Sequence, residues 1–319
     1  ALEVYTREKH PTEWALTQQS LGFVLEKLGV RGGDVEMLRQ AVAAYRRALE
    51  VYTREKHPTE WALTQSGLGN ALQELGVRGG DVEMLRQAVA AYRRALEVYT
   101  REKHPTEWAL TQSGLGNALQ ELGVRGGDVE MLRQAVAAYR RALEVYTREK
   151  HPTEWAFTQQ SLGFALEKLG VRGGDVEMLW EAVAAYRRAL EVYTREKHPT
   201  EWAFTQQSLG FVLEELGVRG GDVEVLREAV AAYRRALEVY TREKHPTEWA
   251  LTQESLGDAL QELGVRGGDV GALREAVAAY RRALEVYTRE NNPERWAEAQ
   301  ELLGQALLAI AKLNQDKQA

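Results

Sequence analysis

A 47-residue sequence period constrains this chain more than any other feature. The unit Ala1–Arg47 starts again at Ala48, Ala95, Ala142, Ala189 and Ala236, and a degenerate copy begins at Ala283. The copies at 48–94 and 95–141 are identical. Repeats of this length each form one supersecondary unit that cannot bury its apolar face alone and must stack on its neighbours. The period therefore predicts one elongated domain over residues 1–319 rather than two or three closed cores.

Within a unit the apolar residues recur at helical spacing. His10-Pro11 ends one segment and opens the next, because the residue before proline is driven out of the α region and proline suits a first helical turn. Trp14, Gln18, Leu21, Leu25 and Leu28 then line one face of a first helix, expected over about Pro11–Leu28. Gly22 in its middle costs about 1 kcal/mol against alanine and predicts close approach by a neighbour. Gly29-Val30-Arg31-Gly32-Gly33 reads as the stop, with Asp34 as N-cap of the second helix. That helix is expected over about Val35–Lys56. Leu38, Val42, Tyr45, Leu49 and Tyr52 form its inner seam, and Arg46–Glu50 and Glu50–Arg54 are i,i+4 pairs on its outer side. Residues 1–9 repeat the end of this second helix. From Asn292 the pattern changes to NPERWAEAQELLG, with Glu298 where the other units have Leu or Phe. Residues 293–314 are read as a terminal capping helix with a more polar outer face. The start in mid-unit, without Met, is read as a cut N-terminus, and this C-terminus as natural.

Leu21-Gly22 and Leu25 on the first helix, followed by Ala41, Tyr45 and Ala48 on the second, resemble the tetratricopeptide repeat. The period is longer than that family's 34 residues, the excess falls around the glycine linker and along the second helix, and Trp14 sits a turn early. The resemblance implies an all-α, right-handed superhelical solenoid of antiparallel helix pairs, with six full repeats and a capping helix. It also implies a concave surface lined by the first helices, where an extended peptide or a partner's helix binds.

Six copies in one chain serve as an internal comparison. Eleven places differ, seven on the first helix and four at the start of the second. On a wheel with Leu16 at zero, Ser20, Phe23 and Lys27 fall within about 40°, and Gln19 and Glu26 within about 80°. The core seam falls opposite. The expected partner-binding surface is therefore four columns of residues. The first is Leu16, Leu63, Leu110, Phe157, Phe204 and Leu251. The second is Gln19, Ser66, Ser113, Gln160, Gln207 and Glu254. The third is Phe23, Asn70, Asn117, Phe164, Phe211 and Asp258. The fourth is Lys27, Glu74, Glu121, Lys168, Glu215 and Glu262. Duplication followed by drift is the competing account. Against it, the outer face of the second helix has not varied, although it too is expected to be exposed.

Other chemistry finds little support. Every polar constellation recurs six times, which is not how an active site is built, so neither catalysis nor a cofactor is expected. The histidines at 10, 57, 104, 151, 198 and 245 lie one unit apart, too far to share a metal. With no cysteine there is no disulfide framework or thiolate zinc site, and the cytoplasm is the expected compartment. No apolar run is long enough to span a membrane. A net charge of −6 disfavours nucleic acid as the partner, although the Arg46-Arg47 pairs form a ladder. The expected partner is a protein or peptide. A spacer that self-associates end to end is the alternative.

Overall fold

The computed structural model describes residues 4–316, which hold thirteen α-helices and no strand. Part of the 1–9 segment lies outside them. The chain divides into two compact units, Ala1–Leu169 and Gly170–Ala319. In the first, the first helices of the repeats are α1 (Pro11–Gly32), α3 (Pro58–Gly79), α5 (Pro105–Gly126) and α7 (Pro152–Gly173), whose last residues cross the boundary. The second helices are α2 (Val35–Ala48), α4 (Val82–Ala95) and α6 (Val129–Ala142). The second unit continues with α8 (Val176–Ala189), α9 (Pro199–Gly220), α10 (Val223–Ala236), α11 (Pro246–Gly267), α12 (Val270–Ala283) and α13 (Pro293–Asp316). Each unit is a solenoid of helical hairpins in which a second helix packs on its own first helix and on the first helix of the next repeat.

The start signals act as expected. Pro11 occupies the first turn of α1, and Asp34 accepts the N–H groups of Glu36 and Met37 at 2.9 and 3.1 Å, capping α2. The stop signals differ. Helix α1 continues through the expected linker to Gly32, and only Gly33, at φ 69°, takes the left-handed conformation that ends it. The first helix is thus 22 residues long rather than about 18.

The second helix is shorter than expected, with 14 residues. After Ala48 the chain tightens, with Glu50 N–H donating to the Arg47 carbonyl at 3.0 Å and Val51 N–H to Ala48 at 3.1 Å. A threonine turn follows, in which Lys56 N–H donates to Thr53 Oγ1 at 3.3 Å. Folding back in this way seats Tyr52, 2% exposed, against Ala15 and Ala48, with Trp14 and Trp61 alongside. Burying that ring outweighs the helix propensity of the Arg-Glu-Lys stretch. The described residues of the 4–9 segment have the same non-helical form, so they are not the tail of a helix.

This early stop also removes the expected i,i+4 pairs. Glu50 instead meets Arg7 of the preceding unit at 2.5 Å, and Arg54 meets Glu97 of the following unit at 2.6 Å. Arg46 donates to Gln87 at 2.8 Å. The outer face is a ladder between repeats, which gives its constancy a structural cause.

Gly22 makes the expected close approach, since a Cβ there would lie 3.0 Å from the Tyr45 ring. The core seam is buried in interior repeats: Leu68, Leu72 and Leu75 are 6%, 1% and 7% exposed. In α1, before which the described residues hold no second helix, Leu21 and Leu28 are exposed. Helix α13 departs from the polar expectation, because Leu307 and Leu308 stand exposed.

Candidate functional site: the first-helix face

The second helix covers one side of each first helix, and part of the variable side stays open. The Leu16 column fits this reading. Leu16, Leu63, Leu110, Phe157 and Phe204 are all exposed, and Leu251 is half-buried. A large apolar side chain holds this place in all six repeats, although in five of them it faces solvent.

The Gln19 column lies elsewhere. Gln19, Ser66, Ser113 and Glu254 are buried, and Gln160 and Gln207 are half-buried. Gln19 Nε2 donates to Thr64 Oγ1 on the next first helix at 2.7 Å, and Gln207 does the same to Thr252 at 2.9 Å. In the last repeat Glu254 pairs with Arg295 at 2.7 Å. Gln19, Gln207 and Glu254 thus join adjacent first helices, which a single-helix wheel has no means to show.

The Phe23 and Lys27 columns are partly open and belong to a coupled arrangement that sequence reasoning missed. Its centre is the buried tyrosine of the second helix. Where the Phe23 place holds Phe, the Glu26 place holds Glu; where it holds Asn or Asp, the Glu26 place holds Gln. The tyrosine explains the exchange. Tyr45 donates to Glu26 at 2.9 Å, and Tyr233 to Glu214 at 2.7 Å. Tyr92 instead bonds Asn70 at 2.7 Å and Gln73 at 3.1 Å, and Tyr139 bonds Asn117 and Gln120 in the same way. Tyr280 donates to Asp258 at 2.8 Å. A buried hydroxyl needs an acceptor. Phenylalanine offers none, so the residue one turn on supplies it. The co-exchange was the sequence signal that marked this pair.

Three carboxylates near this face sit in surroundings that disfavour charge. Burial, reinforced by Asp258, Glu215 and Glu262, pushes Glu214 up to about 8 despite the bond from Tyr233. Burial raises Glu254 to about 7 against the pull of Arg295, and Asp258 to about 6 against the Tyr280 bond.

The fourth column divides by charge. Lys27 lies 5.3 Å from the Phe23 ring centroid, and Lys168 4.7 Å from that of Phe164. Where the place is acidic it orients an arginine: Arg125 pairs with Glu121 and donates to the Val77 carbonyl of the preceding repeat at 2.7 Å. Arg78, Arg219 and Arg266 do the same to Val30, Val171 and Val218, so in these repeats the arginine caps the first helix before it.

The other candidates have structural roles. His57 packs edge-on against Tyr52 at 5.4 Å, and its counterparts do likewise. Several arginines of the Arg-Arg ladder are engaged between repeats, Arg93 with Gln134 and Arg187 with Glu228. Among the described residues, no helix is long and apolar enough to cross a membrane.

The hairpins and their stacking define an all-α helical-repeat array. Residues 14–59, 61–106 and 108–153 each match the tetratricopeptide repeat family model, and the later repeats carry the same pattern. The chain is a tetratricopeptide-like array, a fold that generally mediates protein–protein interaction or scaffolding. Among solved structures it is similar to BtubC (BKLC) from P. vanneervenii, with 18% identity over 80% of this chain and 90% of that one and a TM-score of 0.50. It also resembles TTC0263, a thermophilic TPR protein of Thermus thermophilus, with 19% identity over 75% of this chain and 99% of that one and a TM-score of 0.43. No curated protein matches it.

Proposed function

We propose that the chain is a non-enzymatic scaffold that binds a protein or peptide segment along its first-helix face, the concave side in tetratricopeptide arrays. The observation that carries this reading is the Leu16 column. Water-facing apolar side chains that recur at one place in every repeat, as Leu63 and Leu110 do at 52% and 58% exposure, mark a surface that another molecule covers. Removing them costs the fold little, because they bury little. The constancy of the outer face no longer supports the reading, since the ladder accounts for it. Support comes instead from the Phe23 column, where the side chain changes while the tyrosine bond beneath is kept. Selecting ligands from a displayed peptide library and measuring their affinity for Leu63→Asn and Leu110→Asn tests the proposal. Full affinity in both variants, with the fold intact, would contradict it.

A further inference from the structure

In the second unit the aromatic and acidic parts of this face come together. Helix α9 lies beside α11, and α11 beside α13. Phe204 and Phe211 stand 42% and 39% exposed, two turns apart on α9. The residue one turn beyond Phe211 is Glu215, where Phe23 and Phe164 have a lysine. On α11 the corresponding places hold Asp258 and Glu262, and on α13 Glu298 takes the place of the exposed leucine. The nearby arginines are committed. Arg219 and Arg266 pair with Glu215 and Glu262 and donate to the Val171 and Val218 carbonyls, and Arg295 is shared by Glu254 and Glu298.

Building on the reading above, we propose that this part of the face takes a partner segment carrying lysine or arginine beside an apolar side chain. The apolar group lies against Phe204 and Phe211, and the cation lies among Glu215, Asp258 and Glu262. Charge complementarity selects this occupant, because an acidic segment would bring like charges onto a surface already rich in carboxylates. The crowding supports the choice. Glu214 faces Tyr233 and the carboxylates of Asp258, Glu215 and Glu262. Asp258 faces Tyr280, Glu298 and Arg295. Both carboxyls are raised chiefly by burial and further by neighbouring carboxylates. A bound cation favours their ionised forms, so binding releases protons and tightens as pH rises from about 6 to about 8. An uncharged apolar segment has no such dependence.

The test uses the whole chain and two labelled peptides of about ten residues, one alternating lysine with leucine and one alternating glutamate with leucine. Fluorescence anisotropy is read at pH 6 and pH 8. The lysine peptide should bind, with affinity about tenfold higher at pH 8, and the glutamate peptide should not. Phe211→Asn and Asp258→Asn should each weaken lysine-peptide binding at least about fivefold. Both place asparagine where Asn70 and Asn117 already stand, and circular dichroism checks their folding. Equal binding of the glutamate peptide, or indifference to Asp258→Asn while Phe211→Asn still weakens binding, overturns the basic-partner inference and leaves the first-helix reading standing. Indifference to both substitutions overturns both. No binding by either peptide overturns the inference.

Discussion

Tyr233 donates a 2.7 Å hydrogen bond to Glu214, a half-buried residue in a position where three other repeats hold glutamine. Below the unfolded value of about 4.5 both states are protonated and Glu214 is neutral in its effect. Between about 4.5 and about 8 the unfolded chain releases this proton and the folded chain keeps it, so stability falls as pH rises. Glu214→Gln should match the wild type near pH 4 and exceed it by a few kcal/mol at pH 8. Urea titrations at both pH values check this. An equal midpoint difference at both would place its cause outside this carboxyl.

Glycines in the first helix should respond to alanine in opposite directions. At Gly116 a Cβ would lie 2.6 Å from the Tyr139 ring, and nothing flexible is there to move. Gly116→Ala should cost about 1–3 kcal/mol. At Gly79 nothing lies within 4 Å and φ is ordinary, so Gly79→Ala should be neutral or stabilise by up to about 1 kcal/mol. Thermal melts of the two variants side by side make the comparison.

The arginines that link repeats should differ in weight. Arg101 and Glu144 are about half exposed, and such pairs contribute about 0–1 kcal/mol. Arg125 caps two carbonyls, Val77 at 2.7 Å and Gly76 at 3.3 Å, with its side chain 28% exposed. Arg125→Ala should cost about 1–2 kcal/mol, clearly more than Arg101→Ala, as read from denaturant midpoints.

How far the sequence could be read follows from which forces are local. Pro11 and Asp34 announce helix starts because their effect is confined to one turn. The end of the second helix was not legible. No residue from Leu49 to Lys56 forbids a helix, and the chain turns only because Tyr52 gains a buried seat between Ala15 and Ala48. The wheel placed Leu16 and Phe23 on the open side, but it has no neighbours. It put Gln19 on the same surface, where the structure closes the next first helix over it, onto Thr64. Glu26 belongs to the variable set by sequence and to the tyrosine bond by structure. Only the paired exchange with Phe23 hinted at that.

Binding of a selected peptide ligand to Leu63→Asn/Leu110→Asn, compared with the outer-face variant Arg54→Ala/Arg101→Ala, tests the central claim most directly. The account predicts that the first variant melts within about 0.5 kcal/mol of the wild type and loses at least about tenfold in affinity, while the second binds unchanged. Undiminished binding by the first, or a loss confined to the second, would contradict it.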